Sequence, residues 1–108
     1  MAANYYEDGT TMNWSNSTGN LVLSGQAVAV GAITGVAHAD IPDGAQGVLH
    51  MAGVFILPKV ADEAWARGAL LYLNADGLLT AEAGEVIAGS AWISSNAGEA
   101  ESRVRLGR

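Results

Sequence analysis

His38 and His50 are the only imidazoles in the 108-residue chain, and no cysteine is present. Those two facts bound its metal, thiol and acid–base chemistry. A catalytic zinc takes three protein ligands, so a site here must recruit Asp40 or Asp43, and the spacing of these four residues fits no metal-binding motif. Both histidines read as partly exposed strand residues, and no metal is expected. A Ser-His-Asp triad needs its serine on a sharp strand-to-helix turn, and no serine sits in that pattern. Lys59, the only lysine, lies outside any glycine-rich loop, so the phosphate-cradling P-loop is absent. Gly31 to Gly35 has glycine spacing without the dinucleotide fingerprint. Asp62-Glu63 reads as a helix cap rather than a catalytic pair. Glu99 and Glu101 lie at strand spacing from Arg103 and Arg105, which suggests solvated charge pairs or a subunit interface. No catalytic, cofactor-binding or metal residue is expected, and the chain reads as a non-enzyme.

The elements that would position these residues are short and β-like. Fourteen glycines and two prolines suit brief strands joined by tight turns. Half the residues are hydrophobic but only 6% are aromatic, so the core must use small and β-branched side chains. Gly53-Val54-Phe55-Ile56-Leu57-Pro58 is the most strand-like run, opened by glycine and stopped by proline. It ends a longer apolar stretch from Gln46 to Leu57, with both faces largely apolar and Gly53 at the natural bend. Gly31-Ala32 and Asn74-Ala75-Asp76-Gly77 read as hairpin connections. Asp40-Ile41-Pro42-Asp43-Gly44 reads as a turn with Pro42 at its first central position. Leu78 to Glu82 reads as the strand after the second hairpin. A short helix is expected over 62–67, capped by Asp62 and ended by Gly68, with Trp65 pinning it to the domain. Ser102 to Leu106 alternates strictly, placing Val104 and Leu106 inward and Arg103 and Arg105 outward. The run Ile33-Thr34-Gly35-Val36-Ala37-His38 echoes Ile87-Ala88-Gly89-Ser90-Ala91-Trp92, either by chance or as two equivalent strands with close backbone approach at the glycines. The expected architecture is mainly β: one barrel- or sandwich-like domain over 10–108, with an N-terminal arm at 1–9. Val54, Phe55, Leu57, Pro58, Trp65, Tyr72 and Trp92 form its expected structural core.

Net charge is −6, from 11 acidic and 5 basic residues. That balance disfavours nucleic-acid binding, which needs cationic surface to release counterions. No run approaches the roughly 18 apolar residues of a membrane span, so no membrane partner is expected. The start of the chain lacks the basic and apolar regions of a signal peptide, so the Asn-x-Ser/Thr patterns at Asn13 and Asn16 are not read as glycosylation sites. The arm is polar and acidic yet carries Tyr5 and Tyr6, as a frayed terminus or a segment that orders on a partner. Met12 and Trp14 beside it are further candidate partner contacts.

The series Gly25-Gln26-Ala27-Val28, Gly35-Val36-Ala37, Gly53-Val54-Phe55-Ile56-Leu57-Pro58-Lys59, Ala64-Trp65-Ala66-Arg67-Gly68, Leu71-Tyr72-Leu73, Leu78-Leu79-Thr80, Ile87-Ala88-Gly89-Ser90-Ala91 and Val104-Arg105-Leu106 covers most of the chain. In order and spacing it resembles the small tailed-phage proteins known as capsid cement or decoration proteins. Gly89-Ser90-Ala91 departs mildly from the family's Gly-Val-Ala-like strand. The resemblance implies a virion structural protein on the outer surface of an icosahedral head, present in the host cytoplasm before assembly. It further implies homotrimers at three-fold and local three-fold positions, with the major capsid protein as partner and no cofactor. Readings of another class are a head-fibre base or tail component, or a small barrel that binds host-surface glycans.

Overall fold

The computed structural model describes residues 9–107. Among them are nine strands: β1 (Thr11–Ser15), β2 (Ala27–Val30), β3 (Ile33–Ala37), β4 (Gln46–His50), β5 (Gly53–Pro58), β6 (Leu70–Leu73), β7 (Leu79–Thr80), β8 (Ile87–Ala91) and β9 (Glu101–Leu106). They form one curled, half-barrel sheet rather than a closed barrel. Pairing is antiparallel within the ladders, except that β3 and β8 meet in parallel with Ile33 opposite Ile87. The echoed segments are therefore neighbours. At Gly35 an added Cβ would lie 2.8 Å from the Met51 sulfur, and at Gly89 it would run into the Arg105 carbonyl oxygen, so both glycines permit close approach.

The pairing registers show one four-strand unit built twice. In the first unit β1 pairs β4 and β2 pairs β3; in the second β5 pairs β9 and β6 pairs β8. Met12 lies opposite Leu49 as Phe55 lies opposite Val104, and Val28 faces Gly35 as Leu71 faces Gly89. Ala37 pairs Leu49 as Ala91 pairs Val104. The irregular parts repeat too. The Val22–Ile41 bridge matches Trp65–Ser95, and Gly25 N donates to Ala37 O (2.9 Å) as Gly68 N donates to Ala91 O (2.8 Å). Each unit has its own core: Val22, Val28, Ala37, Ile41 and Leu49 in the first, and mainly Leu57, Trp65, Leu71, Leu79, Ala88, Ala91, Val104 and Leu106 in the second. The units differ most in one connection: Gly31-Ala32 links β2 to β3, whereas residues 74–86, carrying β7, link β6 to β8.

Several expectations change. No helix forms over 62–67. So short a helix needs tertiary help, and here tertiary partners take its groups. Trp65 N and O are bonded to Ser95 (3.0 and 2.9 Å), and the Glu63 carboxylate accepts from the Thr80 hydroxyl and Ala81 N (2.8 Å). That second bond also ends β7 at Thr80, short of the expected Glu82. The Gln46–Leu57 stretch divides into β4 and β5 at 51–52, with Gly53 at φ 113° on the break. Ala45 N donates to Pro42 O (3.0 Å), so Asp43 and Gly44 are the central residues of that turn and Pro42 precedes them. Of the expected core, Leu57 and Trp65 are buried, Phe55 and Tyr72 half-buried, and Val54, Pro58 and Trp92 exposed. Val54 follows the outward alternation of β5, and Trp92, one residue past the end of β8, also turns to solvent, so hydrophobicity alone does not pull them in.

One buried group in each unit ties down the loops. Asn16 donates from Nδ2 to Asn20 O and Ile41 O (both 2.8 Å), while its Oδ1 accepts from Thr18 N (3.0 Å). Lys59, at the matching position, is 3% exposed. Its ammonium donates to Val60 O (2.9 Å) and Glu63 O (2.7 Å), with Asn96 O and Glu99 O at 3.5 and 3.4 Å, and lies 4.8 Å over the Trp65 ring. Burying a polar group is costly unless it is hydrogen-bonded, and here each of the two gathers a loop that carries no ladder of its own.

Candidate docking surfaces

Strand alternation decides what the second unit shows to solvent. Leu57, Ser102, Val104 and Leu106 point into the core. Their neighbours point out, so Val54 stands opposite Arg105 and Ile56 opposite Arg103 on one exposed face. Ile56 is 57% exposed and Trp92 is 50% exposed. Trp92 N donates to Arg103 O (2.9 Å), which anchors the tryptophan beside the two arginines. Arg67, Trp92, Ile93 and Arg105 line a shallow depression of ≈ 500 Å³, and Ile56, Ile93, Glu99, Glu101 and Arg103 line a smaller one of ≈ 160 Å³. Apolar side chains set among arginines are a composition that interfaces favour. Of the five basic residues, Lys59 is buried and Arg108 lies outside the described residues, so Arg67, Arg103 and Arg105 are the exposed cations described, and all three line these depressions.

The first unit shows a different surface. Leu21 and Leu23 project on either side of buried Val22 and are 51% and 54% exposed. Asp40 accepts from Ser24 N (2.8 Å) and Asp43 from Gly19 N (3.0 Å), so two exposed carboxylates hold this loop in place. Elsewhere on the unit, His38 Nδ1 and His50 Nε2 lie 2.9 Å apart in a hydrogen bond, with His50 also against Phe55. The sequence places the histidines on strands but gives no sign that they touch. Among the described residues no group of three or more His, Cys, Asp or Glu could hold a metal ion. An apolar cleft of ≈ 330 Å³ lies where the units meet, lined by Met12, Ile33, Met51 and Ile87 among others.

Of the candidate partner contacts, Tyr5 and Tyr6 lie outside the described residues. Met12 is half-buried in the cleft at the unit junction. Trp14 is half-buried against the first unit's core, opposite Gly47. Glu99, Glu101, Arg103 and Arg105 are all exposed and line the two depressions on the second unit. Sequence reasoning missed Ile56, Leu21 and Leu23. A signal for Ile56 was present: it pairs with a strand whose outward residues are arginines, so it shares their face.

Residues 6–106 match the family model described as phage cement protein, almost the entire chain, and the chain belongs to that family. No curated protein and no solved structure matches it.

Proposed function

We propose that this member of the phage cement family is a decoration protein of the outer head surface. It binds the major capsid protein of an assembled icosahedral shell and clamps neighbouring subunits, as homotrimers at three-fold and local three-fold positions. Family membership supports the structural role in the phage head. The geometric observation that carries the docking reading is the Val54/Ile56/Trp92 face, because well-packed small domains seldom leave several large apolar side chains together in solvent without a partner. Stabilisation arises by mass action: a ligand that binds only the intact shell shifts the equilibrium away from its disrupted form. Burying apolar area at many such sites makes the effect additive over the particle.

The N-terminal arm, with Tyr5 and Tyr6, is proposed as a second contact with the shell, joined by Met12 and Trp14. The cut that tests it is removal of residues 1–8, since Thr11–Ser15 is paired along its whole length with β4. The function is tested by mixing purified protein with undecorated expanded shells of its own phage. Co-sedimentation and a raised temperature of shell disruption are expected. Protein that stays in the supernatant at every concentration overturns the reading.

A further inference from the structure

The twofold construction supplies an internal control for the exposed face. Each outer-face residue of the second unit has a counterpart in the first, fixed by register. Thr11 stands where Val54 stands, Asn13 where Ile56 stands, and His50 where Arg105 stands. His38 matches Trp92: His38 N donates to Val48 O (3.0 Å) as Trp92 N donates to Arg103 O (2.9 Å). The same ladder thus forms with polar residues at these four places, while the counterpart of Arg103 is Val48, apolar and 37% exposed. Folding does not require valine, isoleucine, tryptophan and arginine there, which leaves recognition as the reason for them.

What they recognise is on the same chain. Leu21 and Leu23 form an apolar edge, and the Asp40 carboxylate is held at Ser24, next to Leu23. Apolar residues with carboxylates complement apolar residues with arginines. A face-to-self contact would instead set Arg103 and Arg105 against their own copies, with Glu99 and Glu101 of the same face to answer them rather than a separate acidic edge. A chain of net charge −6 repels its copies unless its few cations meet acids, and its described exposed cations stand at the Ile56 face.

We propose that copies of this chain associate head to tail, the Leu21/Leu23 edge of one seating on the Val54/Ile56/Trp92 face of the next. Such a contact uses two different patches, so it closes into a ring when its rotation allows. The proposal gives a surface to the self-association suggested above, and it can be read without reference to shell binding.

The chain has no cysteine, so introduced thiols report one contact at a time. Leu23→Cys and Ile56→Cys single variants, mixed and mildly oxidised, are expected to form disulfide-linked 1:1 dimers. The double variant L23C/I56C is expected to give higher covalent oligomers. Both should form on the order of tenfold or more faster than a control pairing of Leu23→Cys with Asp76→Cys, because a specific contact raises effective concentration. The reaction is run on the free protein and on protein adsorbed to its own shells, with wild-type co-sedimentation as the separate check on function. Rapid dimers of Ile56→Cys alone overturn the proposal in favour of a face-to-self contact. Cross-linking at the control rate in both settings overturns it as well. If Ile56→Arg then abolishes shell binding while its melting temperature is unchanged, the shell is the occupant of that face.

Discussion

The two units share a ladder and differ in what they place on it. At matching positions the first keeps Asn16 and the second Lys59 as the buried clasp, and the first packs Val22 where the second packs Trp65. Inside, these exchanges preserve the job: a polar group bonds loop carbonyls, and an apolar side chain fills the centre. Outside, the exchanges do not preserve anything. Thr11, Asn13, His38 and His50 make the first face mainly polar around exposed Val48, while Val54, Ile56, Trp92, Arg103 and Arg105 make the second apolar and cationic. Where a role is structural the type of residue follows the position; where it is not, the position has been put to another use.

The largest expected effect separates the twin glycines. In Gly89→Ala the new Cβ meets the backbone carbonyl of Arg105, at φ 151° and with no flexible side chain to yield. A loss of about 4 kcal/mol or more is expected, read as failure to fold or as a collapse of the denaturant midpoint. Gly35→Ala meets chiefly the end of the Met51 side chain and Leu49 (2.8 and 3.1 Å), so it should cost about 1–2 kcal/mol. Equal costs would mean that the two glycines meet equivalent surroundings, against the difference drawn between them.

The clasps come next. Lys59→Met removes an ammonium that serves several loop carbonyls and leaves them buried and unpaired, for a loss of about 3 kcal/mol. Asn16→Ala removes two such bonds and should lose about 2 kcal/mol. Urea titrations of both variants rank them, and an Asn16→Ala cost above that of Lys59→Met would break the comparison. The smallest effect on stability is expected from transplanting the first unit's outer face onto the second. V54T, I56N and R105H should each stay within about 0.5 kcal/mol of the parent. Together they should abolish self-association in sedimentation velocity, or shell binding if the shell occupies that face. A strongly destabilised triple variant would show that those residues hold the fold after all.

Local chemistry made much of this legible. Asp76-Gly77 and Gly31-Ala32 form the hairpins their residues dictate, and the alternation of Val104 and Leu106 with Arg103 and Arg105 holds along the whole of β9. The ordered series led by Gly53–Lys59 pointed to the family, whose model matches residues 6–106. What stayed hidden depended on distant partners. Asp62 to Gly68 carries good capping residues, yet Ser95 and Thr80, brought in from afar, take the groups a helix would use. The repeat survived in the sequence mainly as the Gly-x-Ala echo and the matched Gly25 and Gly68, because Asn16 and Lys59, or Val22 and Trp65, do equivalent work with unlike side chains. Val54 and Trp92 read as core because an outward-facing position announces itself only when it is polar.

An electron-microscopy map of the decorated phage particle tests the central claim most directly. The account predicts density for this chain on the outer surface, clustered about three-fold positions, with the Leu21/Leu23 edge of each copy against Ile56 and Trp92 of the next. Density inside the shell, or isolated copies with both of those surfaces bare, would contradict it.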